Sequence, residues 1–182
     1  MQGEILARVF LNPDRSFTVS DLARATHAPY ASVHREVRRL LQMGIVRGEK
    51  RGQALEISAR VDSAVFAPLS ELLRISYGPA AVLPAMLAGI EGITDAYIYG
   101  SWAARRLGEP GGSPGDVDLL VIGNPARSEI YEAAQRAGSV LAREVNVRVI
   151  SADAWTSSDD DPFLQTIRER PLVQLNLQEI SE

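Results

Sequence analysis

The 182-residue sequence predicts an α+β protein of two domains, and three features carry that expectation. Apolar residues recur at helical spacing up to about residue 43, then give way to two short β-prone runs around Gly52. Beyond residue 92, strand-length apolar runs alternate with helical ones. Charge divides along the same line: residues 1–60 carry ten Arg/Lys against six Asp/Glu, and residues 61–182 carry nine against seventeen. A basic first part suits a polyanionic partner; an acidic second part suits cations and cation-bound ligands. The expected boundaries are 1–60 for the first domain, 61–91 for a helical connector and 92–182 for a small α/β domain with a mixed sheet and flanking helices.

In the first domain Ile5, Leu6, Val9 and Phe10 place a helix over 4–11, which Asn12-Pro13 ends. Phe17-Thr18-Val19 is a β-prone link, and Ser20 is the expected cap of a short helix over 21–26. His27-Ala28-Pro29 turns the chain into a third helix over 30–43, with Val33, Val37, Leu40 and Leu41 on its core side. Arg35, Arg38 and Arg39 fall at i, i+3 and i+4 and form one basic stripe. Strands at 45–47 and 54–57 flank a turn at Lys50-Arg51-Gly52-Gln53. Three helices and a basic hairpin are the layout of a winged helix-turn-helix.

Three stretches make this part resemble the winged-helix regulators of the ArsR/MarR kind. They are Thr18-Val19-Ser20-Asp21-Leu22-Ala23, Ser32-Val33-His34-Arg35-Glu36-Val37-Arg38-Arg39-Leu40 and Gly44-Ile45-Val46. The resemblance implies double-stranded DNA as partner, with the third helix in the major groove and the wing on phosphate or minor groove. Tyr30, Ser32 and Arg35 are then the base-edge candidates, and Arg38, Arg39, Lys50 and Arg51 the phosphate candidates. The plainer alternative for the arginines is a solvated helix face, and Tyr30 would equally pack on the wing.

The connector reads as two helices, 64–75 and 80–90, broken at Ser76-Tyr77-Gly78-Pro79 and with Pro84 early in the second. Their apolar content, including Leu69, Leu72, Leu73, Leu83 and Leu87, exceeds what a free linker needs. A contact between domains or between two copies is expected, and a homodimer suits a two-fold DNA site.

The second domain opens on the strand Tyr97-Ile98-Tyr99, which Gly100-Ser101 ends; a helix over 102–107 follows, with Ser101 as its expected cap. Such a turn aims backbone N–H groups and a hydroxyl at one point, which suits a phosphate, and Gly100 lets it approach the chain. A Gly/Pro-rich loop over 109–115 leads to Asp116-Val117-Asp118 and the apolar strand 119–122. Strand alternation puts Asp116 and Asp118 on one face, where their hard oxygens suit Mg²⁺ or Mn²⁺. An amphipathic helix over 128–143, a strand over 145–150, a short turn capped by Ser151, a helix over 163–170 and a last strand within 171–175 complete the chain. Trp102 is expected as a buried anchor rather than a base-stacking surface, and Asp159-Asp160-Asp161 as a helix N-terminal charge cluster rather than a metal site.

Tyr99-Gly100-Ser101 and Asp116-Val117-Asp118-Leu119, in that order between apolar runs, resemble the signature of the minimal nucleotidyltransferases of the DNA polymerase β superfamily. The resemblance covers about half the chain. It implies transfer of a nucleoside monophosphate from a Mg²⁺-bound nucleoside triphosphate to a protein, RNA or small-molecule acceptor. Gly100, Ser101, Arg105, Arg106 and Asn146 would bind the nucleotide, and Asp116 and Asp118 would hold the metal and serve with Glu144 as the catalytic groups. The family's third carboxylate would fall where this chain has Asn146, with Glu144 two residues earlier on the same side and able to stand in for it as a catalytic group.

Cysteine is absent, which excludes disulfides and thiolate chemistry, and the only histidines are His27 and His34. The N-terminus has no signal pattern and the longest apolar stretch contains Pro84, so a cytoplasmic protein with no membrane partner is expected. The rival to an enzyme is a transcriptional regulator or antitoxin-like protein, its second domain a degenerate nucleotidyltransferase fold acting as ligand sensor or dimer scaffold. A third reading makes the winged helix a module that brings a protein or RNA acceptor to the site.

Overall fold

A computed structural model describes residues 1–157 and 161–177. Its helices and two separate sheets give an α+β chain, which divides into two compact units, Met1–Gly78 and Pro79–Glu182.

In the first unit α1 (Gln2–Phe10), α2 (Val19–Ala25) and α3 (Tyr30–Gln42) precede a hairpin of β2 (Val46–Arg51) and β3 (Ala54–Ala59), and α4 (Phe66–Tyr77) closes the unit. The short β1 (Phe17–Thr18) pairs with β3, so the sheet has the antiparallel order β1-β3-β2. Ile5, Val9, Leu22, Val33, Val37, Leu40 and Ile57 are fully buried together in its core. The cap of α2 is Thr18 and not the expected Ser20. Thr18 Oγ1 accepts from Asp21 N at 3.1 Å while the Asp21 carboxylate accepts from Thr18 N at 3.0 Å. This reciprocal box satisfies two free amides, and Ser20 has no carboxylate three residues on to build one.

The second unit contains α5 (Pro79–Leu87), β4 (Ile93–Tyr99), α6 (Gly100–Arg106), β5 (Asp116–Gly123), α7 (Arg127–Leu141), β6 (Glu144–Ile150), α8 (Ala152–Thr156), α9 (Pro162–Arg168) and β7 (Val173–Gln174). The sheet order is β6-β5-β4-β7, with β5 and β6 parallel across α7 and the other pairs antiparallel. One face, with Ala96, Ile98, Val117, Leu119 and Val121, packs in one core with Leu83 and Leu87 of α5 and Ile130 and Ala137 of α7. Trp102 is buried in that same cluster, as an anchor. On the opposite face Leu120 and Ile122 meet Ile167, Tyr97, Tyr99 and Trp155.

The segment 61–91 is not a separate connector. Its two helices belong to different units: α4 packs on α1, with Phe66 stacked on Phe10 at 5.6 Å, and α5 packs on α7. Each helix has its own buried side chains, Leu73 on α4 and Leu83 and Leu87 on α5, while Leu72 and Ile75 of α4 stay exposed. Among the described residues no helix is long and apolar enough to cross a membrane. Asp161 caps α9, accepting from Phe163 N at 2.9 Å; Asp159 and Asp160 lie outside the described residues.

Candidate functional site

Strand alternation and register build the site. On β5, Val117 and Leu119 point into the α5/α7 core, so Asp116 and Asp118 face the other way, half-buried. Parallel pairing sets Asp116 beside Glu144 and Asp118 beside Asn146, and antiparallel pairing sets Tyr99 beside Asp118. The Asn146 amide donates to Asp116 Oδ2 at 2.9 Å and to Asp118 Oδ1 at 3.4 Å, so it ties the two carboxylates together. Glu144 is exposed at the start of β6. Among the described residues no three acidic, His or Cys side chains gather as a metal-holding group.

The Gly-Ser turn arrives at the same point. Tyr99, not Ser101, is the N-cap of α6, and the helix begins at Gly100. Gly100 has φ +70, and a Cβ there would strike the Asp118 carboxylate. Only glycine combines that backbone with that approach. Ser101 therefore sits inside the first turn of α6, exposed, rather than capping it. Of the two arginines expected near phosphate, Arg106 is exposed, whereas Arg105 turns to the following loop: its Nη1 donates to the Glu109 carbonyl at 3.0 Å.

The electrostatics follow from this crowding. Burial holds the Asp118 carboxyl above the ordinary aspartate range; the Asn146 hydrogen bond opposes that rise, and the nearby Asp116 charge adds to it. Burial likewise raises the Tyr99 phenol, with the Asp118 charge adding and Arg148 opposing. Two half-buried carboxylates on successive same-face positions chemically take either a proton or a hard cation. The two carboxylates fit a divalent ion as charged ligands; Asn146 presents its amide nitrogen to both, so it would supply a neutral oxygen as a third ligand only with its amide turned over.

Beside the aspartates lies a layer that sequence reasoning missed. Arg148 of β6 holds its guanidinium 4.2 Å over the Phe163 ring, Phe163 meets Tyr99 edge-on at 6.3 Å, and Tyr97 meets Trp155 at 5.8 Å. Glu144, Asn146 and Arg148 at i, i+2 and i+4 were a visible signal for one shared face; the aromatic partners come from distant segments and left none.

In the first unit the structure gathers a second, basic surface. Arg35, Arg38 and Arg39 are exposed on α3, and Lys50 and Arg51 are exposed on β2. Among the described residues Arg35, Arg38, Arg39 and Lys50 form no ion pair, while Arg51 approaches Glu56 at 3.6 Å. Tyr30 is 55% exposed at the start of α3, stacked on His34 at 6.0 Å, and Ser32 is half-buried.

A scan against protein-family models finds no match, and a search of curated proteins finds none either.

Proposed function

We propose that the second unit is a nucleotidyltransferase domain that binds a Mg²⁺- or Mn²⁺-nucleoside triphosphate, and that the first is a winged helix-turn-helix that binds double-stranded DNA. One observation carries the nucleotide reading. Gly100, at the start of α6, abuts the carboxylate of Asp118, so the Gly-Ser turn and the Asp-x-Asp pair, distant in sequence, meet at one point.

In this reading Asp116 and Asp118 hold the cation, the bare backbone at Gly100 admits the phosphates, and the Ser101 hydroxyl donates to a phosphate oxygen. Arg106, exposed at the end of α6, is the remaining candidate for a phosphate contact. The bound cation would neutralise triphosphate charge and favour departure of pyrophosphate. An acceptor hydroxyl forms a bond to the α-phosphorus, the bond to the β-phosphate oxygen breaks, and the hydroxyl proton passes to Glu144 or to water. A homodimer bound to a two-fold DNA site completes the reading.

Asn146 favours a second reading. By donating to both carboxylates it does for the pair part of what a cation would do, which suits a regulator whose site senses a nucleotide without turning it over. Calorimetric titration of each of the four nucleoside triphosphates with Mg²⁺ into the native chain and into Asp116→Asn/Asp118→Asn tests both. One nucleotide binding to the native chain alone is expected, and labelled-monophosphate transfer to an acceptor then separates enzyme from sensor. Failure of all four to bind would end the nucleotide reading.

A further inference from the structure

The outer edge of β6 is a further surface, and it is open. β6 ends the sheet order β6-β5-β4-β7, and among the described residues nothing pairs with its outward backbone groups. It contains no proline and no bulge, two of the devices that protect an edge, and the charges it carries are one of each sign, Glu144 and Arg148. Val145, Val147 and Val149 are partly buried against the core on one face, and Glu144, Asn146 and Arg148 line the other.

We propose that β6 pairs antiparallel with β6 of a second copy of this chain, about a two-fold axis at Asn146. The charge pattern selects that partner and that register. Glu144 and Arg148 stand two residues either side of Asn146 on one face, both exposed. Antiparallel pairing centred there sets Glu144 directly opposite the partner's Arg148, twice over, and Val145 opposite the partner's Val147 on the other face. A shift of one residue either way breaks both ion pairs. Glu144 also needs such a neighbour: its in-register companion on the inner side is Asp116, a like charge. The pairing joins two four-stranded sheets into one continuous eight-stranded sheet. It brings the partner's Arg148 two strand spacings, about 10 Å, from Asp116, on the face that carries the aspartates. An arginine from the second copy thereby joins the electrostatic surroundings of each site, and the pairing stands whether or not the site turns over nucleotide.

Charge reversal on the full chain tests this. By sedimentation, Glu144→Arg and Arg148→Glu each put two like-charge pairs across the axis and are expected to weaken the dimer roughly tenfold or more. The double variant restores opposite charges in exchanged positions and is expected to recover the native dissociation constant. Circular dichroism checks that each variant is folded. The chain has no cysteine, so Asn146→Cys carries a single thiol, and a short bifunctional maleimide is expected to link two copies through it. A monomeric native chain, a dimer indifferent to the single reversals, or a dimer that residue 146 fails to link would each overturn the pairing; the last two would redirect attention to the exposed Leu72 and Ile75 of α4.

Discussion

The two units handle charge in opposite ways. On α3 and the hairpin, Arg35, Arg38, Arg39 and Lys50 stand exposed with no ion-pair partner among the described residues, so their side chains can meet a polyanion. On β5, Asp116 and Asp118 are half-buried, crowded by Gly100 and tied together by Asn146. An exposed charge costs the fold little and contributes little to it, so removing it should alter binding alone. A crowded, half-buried charge works against folding, so removing it should touch both stability and ligand affinity. The difference separates surface built for contact from a site in which the fold itself is under load.

The largest expected effect lies on the exposed side. Replacing Arg35, Arg38 and Arg39 together by alanine should weaken binding of duplex DNA roughly a hundredfold or more, and the salt dependence should flatten by about one unit of slope for each phosphate that no longer meets an arginine. Because these side chains are exposed, the thermal midpoint should hardly move. A matched loss of stability and binding would mean that the stripe is structural. Retained DNA binding would leave the first unit as a protein or RNA contact module.

Next in size is Gly100→Ala. A non-glycine residue in the left-handed region costs about 1–3 kcal/mol, and here the new methyl also displaces the Asp118 carboxylate. Gly89 has φ +80 with nothing within 4 Å of a Cβ, so Gly89→Ala imposes the backbone strain without the collision. Denaturant melts of the two should therefore differ by the collision alone, and only Gly100→Ala should lose Mg²⁺-nucleotide binding. Equal behaviour of both variants would show that closeness of Gly100 to Asp118 has no part in the site.

These contrasts also mark what the sequence made legible. Val33, Val37 and Leu40 at i, i+4 and i+7 announce α3, and the bare alternation around Asp116 and Asp118 announces both β5 and the face the carboxylates take. Periodicity suffices there because burial alone decides the outcome. Local hydrogen bonding was harder to read. Thr18 and Ser20 are both good caps by composition, and only the carboxylate of Asp21 chooses between them. Contacts across the sheet were hardest. That Asn146 reaches both aspartates depends on the β5–β6 register, which the alternation within either strand does not fix. That Arg105 turns to Glu109 depends on a loop whose course no spacing reveals.

The smallest effect concerns Asp118 and runs against the usual behaviour of aspartates. Burial, with the Asp116 charge adding, keeps its carboxyl above the ordinary value of about 3.9, so ionising it costs more in the folded chain than in the unfolded one. That cost is absent at low pH, where the group is protonated in both states. It grows as pH rises past the unfolded value and is complete above the folded one. Asp118→Asn should therefore raise stability at pH 7 by less than about 1 kcal/mol, since solvent screens a group this open, and the gain should vanish as the pH falls below about 4. Its amide oxygen can still accept from Asn146, so the tie across the strands survives the change. Millimolar Mg²⁺ should reverse the ranking: a cation that binds only the folded native chain stabilises it by about 2.7 kcal/mol at a hundred times its dissociation constant, and the variant gains nothing. Melting curves of both proteins at pH 7 and pH 4, with and without Mg²⁺, check all three statements. A variant less stable than the native chain at pH 7 without Mg²⁺ would show that the Asp118 carboxylate holds the sheet together rather than straining it.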